Sequence, residues 1–219
     1  MKFLTTVLFF TFLFSGLQAQ EKNLSIAFVA KINGKKLILN EEGQDIKISQ
    51  LKFYISNIEL FKDGKSVFIF PKAFLLDYAE AESLHEDCSL NFNFDEVSFD
   101  VGIDSPTNAA GAQSGALDPA NGMYWTWQSG YINVKLEGQS SACPTRKNEF
   151  RFHLGGFLEP YQAHQKMRFM VDNSQKITFL LDLDLFFEKI NLAKVNRIMS
   201  PSAAAVNLSK LFANCLSIK

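Results

Sequence analysis

Two short stretches of this chain carry side chains whose chemistry is uncommon together. Met123-Tyr124-Trp125-Thr126-Trp127-Gln128-Ser129-Gly130-Tyr131 holds both tryptophans of the 219-residue sequence, and Phe150-Arg151-Phe152-His153-Leu154-Gly155-Gly156 holds one of its three histidines. Side chains alternate between faces on an extended backbone, so Met123, Trp125 and Trp127 are expected on one face. By the same alternation His153 points away from Phe150, Phe152 and Leu154, together with Arg151. A histidine at a strand end beside a Gly-Gly turn is open to a ligand. Three readings fit the aromatic stretch. It can pack a core, it can stack against sugar rings, or it can border a soft-metal site, where thioether and imidazole suit Cu(I). An intact indole is a hydrogen-bond donor only, so tryptophan ligates through nitrogen only after chemical modification.

The remaining reactive residues point to less. His85 precedes Cys88 in an acidic stretch, and His164 follows a turn. There is no G-x-S-x-G elbow, no H-E-x-x-H and no glycine-rich phosphate loop, and no enzymatic role is assigned. The three cysteines lack C-x-x-C spacing, which argues against zinc. Cys88 and Cys143 lie in polar segments beside strands and are the expected disulfide of an exported chain. Cys215 falls with Leu208, Leu211 and Phe212 on the apolar stripe of a C-terminal helix, as a buried thiol. The oxygen-rich segment from Asp104 to Met123 offers donors to calcium. Turn chemistry accounts for the same residues, and no D-x-D-x-D-G loop occurs.

These residues must be positioned by strands. With 22 phenylalanines in the chain, apolar alternation recurs at Ile26–Ala30, Leu51–Ile55, Val97–Ile103, Ile132–Leu136, Phe150–Leu154, Met167–Val171 and Ile177–Leu181. The apolar phase slips near Ser56-Asn57, which predicts a bulge. Asp63-Gly64 predicts a hairpin turn. Asp182–Ile190 reads as a helical turn or more, and Ser202 caps a helix reaching about Leu216. Short strands without intervening helices predict an all-β fold: an antiparallel β-sandwich with one long irregular loop, Asp104–Met123, and a short C-terminal helix. A loop of that length is functional or hides an element of its own.

Charge and targeting narrow the setting. Lys and Arg total 22 against 23 Asp and Glu, which excludes a strongly basic nucleic-acid binder. Lys2 and the apolar run Phe3–Leu17 read as a signal peptide, residues 1–19, cleaved near Ala19. The mature chain, 20–219, is expected to be a single domain, periplasmic or secreted, with no membrane span.

The aromatic stretch, Phe152-His153-Leu154-Gly155, Tyr54-x-Ser56-Asn57-Ile58 and Val101-Gly102-Ile103-Asp104 with Asn108 together resemble the copper-binding MbnP-like family, over about residues 24 to 215. The resemblance implies an exported copper-binding β-sandwich, with copper held by histidine and a kynurenine made from tryptophan. It also implies a partner, a dihaem enzyme of the cytochrome c peroxidase/MauG type. Carried onto this sequence, His153 is the imidazole ligand, Trp125 or Trp127 the modified residue, and Met123 a substitute soft ligand. Only His153 sits in a matching histidine motif. The alternative is a carbohydrate- or protein-binding sandwich that stacks ligands on Tyr124, Trp125 and Trp127.

Overall fold

The computed structural model describes residues 22–90, 92–172 and 175–219, so the expected signal peptide lies outside it. Among the described residues, fourteen strands form two sheets. In chain order they are β1 (Lys22–Ile32), β2 (Lys35–Lys36), β3 (Ile46–Lys62), β4 (Lys65–Ile69), β5 (Phe74–Asp77), β6 (His85–Leu90) and β7 (Glu96–Val101). They continue with β8 (Tyr124–Thr126), β9 (Gly130–Ser140), β10 (Glu149–Gly155), β11 (Gln165–Met170), β12 (Lys176–Asp182), β13 (Arg197–Ile198) and β14 (Leu216–Ile218). The α-helices among the described residues are α1 (Ser105–Ala109), α2 (Leu183–Glu188) and α3 (Ala203–Asn214).

The smaller sheet runs β14-β12-β1-β2, with β6 also paired to β1. The larger runs β11-β7-β3-β9-β10-β13, with β4 and β5 on β3 and β8 on β9. Phenylalanines from both inner faces interlock. Phe28 lies 5.9 Å from Phe99 and 6.3 Å from Phe53 on the facing sheet, and Phe99 lies edge-on to Phe179 at 4.9 Å. Edge-to-face pairs of this kind add to the burial of each ring. Helix α3 is capped by Ser202 Oγ, which accepts from the Ala205 N–H at 3.2 Å. It buries Ala205, Ser209, Phe212 and Ala213, with Phe212 packed on Phe53 and Phe186.

The sandwich, the helix and the Ser56-Asn57 slip follow the sequence expectation. At the slip the β3–β7 register shifts between Ser56 and Glu59, and Asn57 has φ of +51°. Two expectations are corrected. The sheets are not purely antiparallel, because β1 pairs parallel with β12 and β10 with β13. Alternation reports which face a residue takes and carries nothing about strand direction. The Cys88–Cys143 bridge is absent, and all three cysteines are free thiols. Cys88 sits on β6 opposite Leu24 in the smaller sheet, while Cys143 is buried in the turn after β9 of the larger one. No helix among the described residues is long and apolar enough to cross a membrane.

Candidate metal site on the outer face of the larger sheet

The long loop begins at the β3 bulge. The left-handed Asn57 swings its amide across so that Nδ2 donates to Asp100 Oδ2 at 2.8 Å and to Asp104 Oδ2 at 3.0 Å. Ser56 Oγ donates to the Gly102 carbonyl at 2.7 Å. Gly102 has φ of +111°, and a Cβ there would stand 2.5 Å from Asn133 Cγ, so only glycine fits. Asp104 then caps α1 by accepting from the Thr107 N–H at 2.8 Å.

Asn108 fastens that helix to β9. Its Nδ2 donates to the carbonyls of Ile103 and Asp104, both at 2.9 Å, and its Oδ1 accepts from the Tyr131 N–H at 2.8 Å. Two phenols hold the rest of the loop. Tyr54 donates to the Ala116 carbonyl at 3.0 Å. Tyr131 donates to the Leu117 carbonyl at 2.9 Å and accepts from the Gln113 N–H at 3.0 Å. Burial pushes the Tyr54 phenol up from its ordinary range. The loop thus roofs a second apolar cluster, formed by Tyr54, Ile103, Leu117, Met123, Tyr131 and Ile132. It does contain hidden elements: α1 and two 3-10 turns, Gly115–Leu117 and Pro119–Asn121.

The predicted common face of Met123, Trp125 and Trp127 does not form, because the strand spans only Tyr124–Thr126. Met123 precedes it, fully buried in the second cluster, while Trp127 lies in the following turn and is 73% exposed. Trp125 is half-buried against the same cluster. It also lies over β10, where a Cβ on Gly155 would stand 2.9 Å from Trp125 Cζ3. Gly155 is two residues beyond His153, a rise of about 7 Å along a strand. The structure therefore lays Trp125 between the cluster that holds Met123 and the Gly155 end of the strand that carries His153, and leaves Trp127 apart in the turn.

His153 is not displayed to solvent as expected. It is 8% exposed, and its Nε2 lies 2.6 Å from Glu137 Oε1. Across the sheet it stands in a row of cross-strand partners, Asp77–Lys52–Lys135–His153. Lys52 pairs with Asp77 at 2.7 Å, and Lys135 donates to the Gly122 carbonyl of the loop. Burial is the largest influence on His153 and holds its pKa below the ordinary value; Lys135 and Arg151 act in the same direction, and Glu137 opposes them. A carboxylate accepts, so the Nε2 that faces Glu137 is the donor of that contact.

No group of three or more His, Cys, Asp and Glu side chains fit to hold a metal ion occurs among the described residues. His85 lies on β6 and lines a separate groove of about 600 Å³ with Asn57, Phe74, Glu82 and Gln113. His164 stands near Asp104, with its Nδ1 buried and unpartnered. Sequence reasoning missed Glu137 and Lys135. Both alternate outward on β9, and the missing information was that β9 pairs with β10.

These features define a two-sheet β-sandwich in which a tyrosine-pinned loop and an aromatic hairpin close one end of a sheet's outer face, beside a buried, carboxylate-bound histidine. The chain belongs to the MbnP family, whose model matches residues 21–200. Its fold is similar to that of MbnP from Methylosinus trichosporium, with a TM-score of 0.57 and 16% identity over 85% of this chain and 87% of that one. No curated protein matches.

Proposed function

We propose that this protein is an exported, non-enzymatic copper-binding protein whose site is built on His153 and Trp125. The observation that carries this reading is the placement of Trp125 against Gly155 of β10, the strand on which His153 has its Nε2 engaged by Glu137. Metal-binding imidazoles commonly donate their second nitrogen to a carboxylate in this way. Family membership supports copper as the metal. Copper, when bound, supplies a soft centre suited to imidazole and to an aromatic amine.

In this reading Trp125 is the tryptophan converted to kynurenine. The indole C2–C3 bond opens, with oxygen supplied by two equivalents of hydrogen peroxide that leave as water. The resulting N-formyl group is hydrolysed, C2 departs as formate, and an arylamine remains. The oxidation is assigned to a separate dihaem enzyme. Met123 is wholly buried in the second cluster, against which Trp125 packs.

The test is metal content after gel filtration of protein purified from copper-supplied cells, beside His153→Ala. Near-stoichiometric copper that disappears in the variant supports the site, and absence of copper from both sinks it. Peptide mass spectrometry of protein from cells carrying the dihaem enzyme reads the modification as net loss of one carbon and gain of one oxygen on Trp125. A second reading rests on the exposure of Trp127, which suits a sugar-stacking surface. A glycan-array signal lost in Trp127→Ala would favour it, because the copper reading predicts no sugar signal.

A further inference from the structure

One exposed lysine lies across a seam between the two sheets. Phe74 belongs to the larger sheet, on β5 opposite Ile55, and Glu86 to the smaller one, on β6 opposite Ile26. Lys72, in the link between β4 and β5, places its Nζ 4.8 Å from the centre of the Phe74 ring and 3.1 Å from Glu86 Oε1. All three line the groove of about 600 Å³ that His85 also lines, and residues 113–117 of the long loop form another of its walls.

We infer that this groove is a binding site for an organic amine, whose ammonium group takes the place of the Lys72 ammonium between the Phe74 ring and the Glu86 carboxylate. Lys72 is the resident occupant, a tethered copy of the ligand's charged end. The inference is independent of the copper reading and uses none of its residues.

The chemistry of these three side chains carries it. An aromatic face beside a carboxylate forms a cation site: the ring quadrupole attracts positive charge, and the carboxylate accepts its N–H groups. Phe74 and Glu86 are both held by strand pairing, so the site is in place before a ligand arrives. Its occupant is held loosely. The Lys72 side chain is 60% exposed, and an exposed ion pair of this kind contributes little. Displacing it costs correspondingly little, and the freed side chain regains rotamers.

The rest of the groove suits the same ligand. Its charged lining, among the described residues, is Lys72, Glu82 and Glu86, an excess of carboxylate. Glu82 is exposed and makes no ion pair. Phe70, Ile103 and Leu117 offer apolar wall to methylene groups. Beneath Phe74 and Glu86 the space between the sheets shrinks to about 10 Å³ against Ile26, Ile55 and Ile58, so the ligand lies along the groove and not between the sheets. An extended diamine meets these features, with one ammonium at Phe74 and Glu86 and the other drawn to Glu82.

The probe is pentane-1,5-diamine, the decarboxylated form of lysine, titrated into the purified protein and followed in backbone amide spectra. In the wild type it should shift resonances of β5 and β6. Lys72→Ala should bind it about 5- to 10-fold more tightly, because the tethered competitor is gone. In the Lys72→Ala background, Glu86→Gln should lose about 10-fold and Phe74→Leu a few-fold. Pentane-1,5-diol, of the same shape without charge, should not bind. Lys36→Ala, which removes an exposed charge on β2 away from the groove, should leave the affinity unchanged. Weaker binding by Lys72→Ala than by wild type, equal tightening in Lys36→Ala, or an affinity untouched by Glu86→Gln would overturn the assignment. So would the absence of binding from both wild type and Lys72→Ala.

Discussion

Glu137 is not the direct cross-strand partner of His153; it stands opposite Arg151 and reaches the imidazole on the diagonal. Arg151 turns instead to Glu149, at 3.0 Å. The outer face of the β9–β10 pair therefore sorts its charges so that one carboxylate is left for the histidine. That sorting has a consequence for pH.

His153 in the folded protein has a pKa below its unfolded value, because burial disfavours the charged ring. Above about pH 6.5 the ring is neutral in both states and costs nothing. As pH falls below that value the unfolded chain takes up the proton more readily, so folded stability declines until the folded pKa is passed. Urea midpoints at pH 7.5, 6 and 5 should fall on this side in the wild type and fall less in His153→Gln. Equal slopes in the two proteins would remove the assignment.

Asn108 makes three buried or half-buried hydrogen bonds that join α1 to β9. Asn108→Ala leaves the Tyr131 N–H and the Ile103 carbonyl without these partners, at a cost of about 2–4 kcal/mol. Limited proteolysis should then cut within residues 104–123 before the rest of the chain. Wild-type resistance there would mean that the two phenols suffice.

Gly155→Ala tests the contact that brings the aromatic hairpin to His153. The added methyl would stand 2.5 Å from the Tyr131 carbonyl and 2.9 Å from Trp125 Cζ3, and the hairpin must lift. In a Trp127→Phe background, which leaves Trp125 as the sole tryptophan, emission excited at its red edge should move to longer wavelength as the indole gains water. An unmoved spectrum would place Trp125 elsewhere.

Phe99 touches Phe28, Phe169 and Phe179 and so links both sheets. Phe99→Ala should destabilise by about 3–5 kcal/mol, read as a lower urea midpoint at unchanged slope.

The thiols give a direct check on the corrected disulfide. Native protein should carry three free thiols by mass, with only half-buried Cys88 alkylated readily. Cys143 and Cys215 are buried, and burial pushes the Cys215 pKa up to about 11, so both should react only on unfolding. A Cys88–Cys143 cross-link in oxidised protein would show that the two segments approach.

Much of the sandwich is legible because Phe152, Phe179 and their neighbours obey a two-residue period over whole strands. The short strands β5, β13 and β14 escape notice because so few residues cannot establish a period. The site divides in the same way. His153 and Trp125 stand out by residue type, and the Asn57 bulge by a phase slip. Glu137 is visible only once β9 and β10 are paired, because its role lies in a neighbour 16 positions away. The common face of Met123, Trp125 and Trp127 fails for a local reason: the turn Trp127–Ser129 interrupts the extended backbone on which alternation depends.

The parallel pairing of β1 with β12, Ser25 against Lys176 through Lys31 against Asp182, bears on how the molecule assembles. Contacts of such sequence separation are closed late, after the loop entropy of everything between has been paid. A chain emerging amino end first presents Leu24, Ile26 and Phe28 long before Ile177, Phe179 and Leu181 arrive to complete their side of the sheet. Until then β1 has only β2 and β6 to pair with and is a sticky, half-finished edge. Assembly at low chain concentration, or under a holding chaperone, should therefore raise the yield of folded protein more than any single stabilising substitution in the larger sheet.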